Sequence, residues 1–165
     1  MTTGLLGRSL LILMTPMLLL QIVTVLIFFE RHWDTVARQL SRGLAGDVAY
    51  VIDYLGQFPD EEHYQWIQHS ARGRMQLDLV FEPDEILQEE TTEPPFGLVS
   101  EELFNALDER LARPFYFNLD LDDRRLEIRV QLKDGVLSIV APRKRLYNST
   151  TYIFFMWIAG SALIL

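Results

Sequence analysis

At 165 residues, with 49% hydrophobic residues and a net charge of −8, the chain has the length of one domain and an ordinary apolar fraction. All 23 acidic residues lie between Glu30 and Asp134 and only Arg8 of the 15 basic residues lies outside Arg31–Arg145, so a middle of 14 basic against 23 acidic residues, net −9, separates two greasy ends. That balance argues against a nucleic-acid partner, which selects a basic face, and the absence of cysteine removes disulfides, thiol catalysis and cysteine-ligated metals.

Residues 1–9 form a short tail, expected to be cytoplasmic. Residues 10–29, LLILMTPMLLLQIVTVLIFF, carry no charge. As a helix they cover about 30 Å, the thickness of the bilayer core. A cleaved signal peptide has an apolar run of roughly 7–15 residues closed by small residues. This run is longer and ends in Phe28, Phe29, Glu30 and Arg31, which predicts an uncleaved transmembrane helix. Charge does not favour an inside N-terminus, with Arg8 on one flank and Arg31, Arg38 and Arg42 on the other. Long loops translocate largely regardless of charge, so the expected arrangement is tail inside and middle outside.

Pro16 removes a backbone hydrogen bond and tends to kink a helix, which membrane helices tolerate. Met14, Met17, Gln21, Thr24 and Phe28 follow a 3-4-3-4 spacing. Gln21 and Thr24 lie on that spacing, a candidate helix–helix seam where Gln21 gains a hydrogen-bonding partner, and with Pro16 as the kink they are the candidate signalling positions. The competing reading is a lipid-facing surface with a few tolerated polar residues.

Residues 30–150 read as an extracytoplasmic domain. Trp33, Val36, Leu40, Leu44, Val48, Val51, Leu55 and Phe58 are spaced 3, 4, 4, 4, 3, 4, 3, one apolar stripe on a helix. Gly43 and Gly46 weaken it and allow a neighbour to come close; Pro59 stops it. A short helix is expected over 60–68. The alternation of Met75, Leu77, Leu79 and Phe81 predicts a half-buried strand over 75–82. After an acidic loop, 83–95, Ser100 is expected to cap a helix ended by Pro114. Three strands follow, with Phe115, Phe117, Leu119 and Leu121 on one face of the first and Leu126, Ile128, Val130 and Leu132 on one face of the second. Asp134-Gly135 is the expected hairpin turn. The order predicts an α+β fold with a four- to five-stranded antiparallel sheet, helices on one face and a long N-terminal helix. A PAS-like sensor module is the nearest architecture.

Chemistry-bearing constellations are sparse. His63 and His69 are six apart and point to different faces of a helix, and His32 is remote, so these histidines read as satisfied or solvated rather than as metal ligands. Asp84, Glu85, Glu89, Glu90 and Glu93 lack the glycine turn and ligand spacing of a calcium loop and read as a solvated acidic segment. Asp120, Asp122 and Asp123 fit a hairpin turn. Asn148-Ser149-Thr150 matches a glycosylation acceptor at the expected membrane edge. No phosphate loop, nucleophile elbow or metalloprotease motif is present. No catalytic, cofactor-binding or metal residue is assigned.

Arg143, Lys144 and Arg145 precede residues 151–165, an uncharged and mostly apolar run. They read as a membrane-edge anchor that can also meet lipid head groups. The run is shorter than the about 20 residues of a full span, and reads as the start of a second transmembrane helix.

The stretch VAPRKRLYNSTTYIFFMWIAGSALIL, Val140–Leu165, resembles the junction between periplasmic domain and second transmembrane helix in EnvZ-type osmolarity-sensor histidine kinases of Gram-negative bacteria. The likeness is best over these 26 residues and extends to the rest by layout. It implies the input region of a two-component system in the inner membrane, multi-pass, with a periplasmic sensor domain and a homodimeric four-helix bundle. It further implies a kinase core, absent from this chain, that uses ATP and magnesium, autophosphorylates on histidine and passes the phosphoryl group to a response regulator. None of the family's catalytic residues falls on this chain. Two rivals remain: a non-enzymatic two-span envelope protein whose outer domain binds a protein or small solute, and the input half of a chemoreceptor or cyclic-dinucleotide enzyme. The stimulus is open among osmolarity, pH, cations and an envelope protein.

Overall fold

The computed structural model describes residues 3–147. The second apolar run, 151–165, and the acceptor triplet at Asn148 lie outside the described residues. The chain divides into two compact units, Met1–Val36 and Ala37–Leu165.

In the first unit the described residues belong to α1 (Thr3–Gln57). From Gly7 onward this helix is long and apolar enough to cross a membrane. Its most apolar 18-residue window has a mean hydropathy of 2.5 and none of that window is buried. Leu11, Ile12, Leu13 and Leu20 are all exposed. A helix that is apolar all round has no face for water.

The second unit is α+β. After the C-terminal part of α1 come α2 (Glu61–Ser70), a π-helical turn (Ala71–Met75), β1 (Asp78–Pro83), α3 (Leu98–Leu111), β2 (Phe115–Asp122), β3 (Arg125–Leu132), β4 (Gly135–Pro142) and a 3-10 turn (Arg143–Arg145). The sheet has four antiparallel strands in the order β1-β4-β3-β2. The last three strands form a meander, and β1 pairs with the strand most distant from it in sequence.

Leu79 of β1 lies beside Ile139 of β4, which lies beside Ile128 of β3. These side chains share one face, and with Leu126, Val130, Leu137, Phe115 and Phe117 they form the sheet half of a single core. Leu44, Val48 and Val51 of α1 and Leu103 and Leu107 of α3 supply the helical half. Each fully buried leucine contributes about 1.5–3 kcal/mol. Of the stripe expected on α1, Leu44, Val48 and Val51 are buried, Leu40 and Leu55 are half-buried and Phe58 is exposed, while Ala37, Ala45 and Ile52 widen the buried face. At Gly46 a Cβ would meet Arg110 at 3.6 Å, and at Gly43 it would meet nothing, so neither position requires glycine for close approach.

Both sheet edges are covered. On β1, Tyr64 Oη accepts from the Phe81 amide at 3.1 Å and Gln68 donates to the Leu79 carbonyl at 2.9 Å, so α2 occupies the groups an added strand would use. On β2, the Thr91 amide donates to the Phe115 carbonyl at 2.8 Å. The acidic segment thus reaches the far edge of the sheet. It is pinned on the way by Gln131, which accepts from the Leu87 amide at 2.7 Å and donates to the Leu132 and Gly135 carbonyls.

Four local expectations are corrected. Residues 75–77 are not strand: Gln76 adopts a left-handed conformation with φ 56°, and the Leu77 amide closes the π turn onto the Ala71 carbonyl. The third helix begins at Leu98 behind Gly97, so Ser100 lies in its first turn and makes no cap. Gly97 at φ 121° lets the chain turn into the helix three residues earlier. Leu121 is 41% exposed, because the β2–β3 register shifts between Asn118 and Asp122 and ends the alternation that buries Phe115 and Phe117. The hairpin turn is Lys133-Asp134, since Leu132 already pairs with Gly135.

Candidate functional site

In the first unit Pro16, Gln21 and Thr24 all lie on α1 and are exposed. The Thr24 hydroxyl donates to the Leu20 carbonyl at 2.8 Å, and Thr15 does the same to Leu11 at 2.6 Å. Such back-bonding satisfies a hydroxyl inside an apolar helix. It leaves Gln21 as the polar side chain with most to gain from a neighbouring helix. These positions carry no reactive chemistry; what they present is an apolar surface marked by one amide and one proline.

In the second unit the three cations expected to act together are separated by the 3-10 turn. Arg145 points inward: one guanidinium nitrogen donates to Asp47 of α1 at 2.5 Å and another to the Met75 carbonyl at 2.8 Å. The two side chains retain only 22% and 32% of their exposure. This clasp ties the segment leaving β4 to α1 and to the end of the π turn. Arg143 turns toward the β2–β3 hairpin, pairing with Asp120 at 2.6 Å and lying over the Tyr147 ring at 5.1 Å. The hydrogen bond to Tyr147, followed by the attraction of Asp120, raises its pKa. Lys144 is exposed.

The hairpin facing this turn is built by Asp122. Its carboxylate accepts from the Arg124 and Arg125 amides at 2.8 Å each and from Arg125 Nε at 2.6 Å. The Arg124 amide first, then the Arg125 side chain, hold it below the usual carboxylate range. The Arg143 amide donates to the Arg124 carbonyl at 2.7 Å, so hairpin and 3-10 turn form two walls of one groove.

Asp47, Arg124 and Tyr147 were not singled out from sequence. Asp47 offers one signal, an acid placed between Leu44 and Val48 on a buried stripe, a position that demands a partner. Nothing local announces Arg124 or Tyr147. The remaining polar clusters are structural. Asp60 caps α2 through the His63 amide at 3.0 Å and contacts the His63 ring at 2.6 Å, and that ring stacks on Phe58. Among the described residues no three ligating side chains converge on a metal position. No protein-family model and no curated protein matches this chain.

Proposed function

We propose that this chain is the signal-input region of a membrane sensor histidine kinase of the EnvZ type. In this reading α1 supplies the first transmembrane helix, residues 151–165 begin the second, and the α+β unit is a PAS-like periplasmic sensor in the bacterial inner membrane. The protein acts as a homodimer whose four membrane helices pack in two alternative ways. A stimulus shifts the outer domain, and the shift biases that packing. Gln21 and Thr24 face the seam, Pro16 kinks the helix that carries them, and Lys144 with its neighbours sets the depth of the second helix. The phosphoryl chemistry belongs to a downstream core that binds ATP and magnesium and serves a response regulator.

The observation that carries this reading is the Asp47–Arg145 clasp. A sensor must couple the segment entering its domain to the segment leaving it, and this pair joins the two by a charged contact and a hydrogen bond to Met75.

The test is the coding sequence downstream of Leu165, followed by phosphorylation of its product. A helical linker, a histidine-bearing helix and an ATP-binding domain, with membranes that incorporate labelled phosphate, are expected. A coiled-coil signalling domain instead makes the protein a chemoreceptor. A stop codon soon after the span leaves a two-span envelope protein and refutes the kinase.

A further inference from the structure

The end of the sheet from which the chain leaves gathers four cations, Arg124, Arg125, Arg143 and Lys144, against Asp120, Asp122 and Asp123, in a protein of net charge −8. A groove of about 920 Å³ lies there, between Arg124 and Arg125 on the hairpin and Arg143, Lys144 and Tyr147 on the other wall. That volume is within the range of ligand sites, about 300–1,000 Å³. Asp122 offsets Arg125 and Asp120 offsets Arg143. Arg124 and Lys144 are exposed and face Asp123 as the remaining carboxylate of the groove. The Arg143 guanidinium is held by Asp120 at 2.6 Å and lies over the Tyr147 ring at 5.1 Å, so it is oriented before any ligand arrives.

We propose that this groove binds the phosphate of an anionic phospholipid headgroup, with Arg124 and Lys144 as the contacting cations and Arg143 as the oriented guanidinium. The inference rests on the reading of residues 151–165 as a membrane span. Lys144 precedes that run by seven residues, which brings the groove to headgroup depth. A cation near an anionic leaflet is worth about 1 kcal/mol, and Tyr147 has the amphipathic ring favoured at the interface. The acidic remainder of the domain is repelled by such a leaflet, so attraction has to be local, and this groove is where the cations gather.

The full chain is reconstituted in nanodiscs of phosphatidylcholine containing a minority of phosphatidylglycerol, and the lipid retained per chain is counted by native mass spectrometry. Phosphatidylglycerol is expected to be enriched over the bulk. Arg124→Gln and Lys144→Gln should each weaken its retention about fivefold. Both side chains are exposed, so the fold tolerates the change. Lys133→Gln, the same charge change at the opposite end of the β3–β4 hairpin, should leave retention unaltered. Equal loss with Lys133→Gln, or no enrichment in an inserted chain, overturns the site while sparing the membrane reading. Displacement by millimolar inorganic phosphate assigns the groove to a soluble anion and also overturns it. Failure of the chain to enter the nanodiscs removes both.

Discussion

Neutralising the Asp47–Arg145 clasp gives the sharpest check on the structure. At an effective dielectric of about 20, unit charges roughly 4 Å apart attract by about 4 kcal/mol. That is an upper bound, because both side chains retain some exposure, at 22% and 32%. Screening and the entropy of fixing two side chains reduce the pairwise term to about 1–2 kcal/mol, above exposed pairs and below fully buried ones. Arg145→Gln also weakens the bond to the Met75 carbonyl, adding about 1 kcal/mol. Asp47→Asn should therefore cost about 1–2 kcal/mol, Arg145→Gln about 2–3 kcal/mol, and the double variant less than their sum by about 1–2 kcal/mol. Urea unfolding of the full chain in micelles, followed by amide hydrogen exchange of core strand β4, measures all three. Additive losses, with a coupling below about 0.3 kcal/mol, would refute the clasp and remove the observation on which the sensor reading stands.

Gly135 sits at φ 155°, and a Cβ there would lie 2.2 Å from the Glu82 carbonyl oxygen. Gly135→Ala should break the β1–β4 pairing at a cost of about 3 kcal/mol or more; a midpoint near that of the parent would mean the register is wrong. Leu137→Ala, in the central strand and fully buried, should destabilise by about 2–5 kcal/mol, read in the same urea titration. Gln131→Ala should free the acidic segment: hydrogen exchange at Leu87 accelerates while β3 stays protected, and unchanged exchange at Leu87 counts against the pin.

The Asp60 carboxyl is held below its usual range, chiefly by the hydrogen bond to the His63 ring and then by the His63 amide. Its contribution to α2 is thus present above the unfolded value of about 3.9 and lost as pH falls through the lower folded value. The His63 amide shift in NMR should titrate below the ordinary aspartate range and should lose that step in Asp60→Ala. A transition at or above the ordinary value contradicts the cap.

Sequence alone determined the features that depend on a repeating period. The stripe through Leu44, Val48 and Val51 and the alternation of Leu126, Ile128 and Val130 place apolar side chains at fixed intervals, and water then selects helix or strand without regard to distant residues. Local geometry that breaks a period was decided by tertiary structure: the left-handed Gln76, the early start of α3 behind Gly97, and the shift at Asn118–Asp122 that exposes Leu121. The same division holds for the site. Arg143, Lys144 and Arg145 read as one basic tract because adjacency is all a sequence displays. Folding brought Asp47, 98 positions away, against Arg145 and set Arg124 opposite Lys144. A charged contact depends on where two distant segments meet, and that is fixed by how the core packs rather than by any interval along the chain.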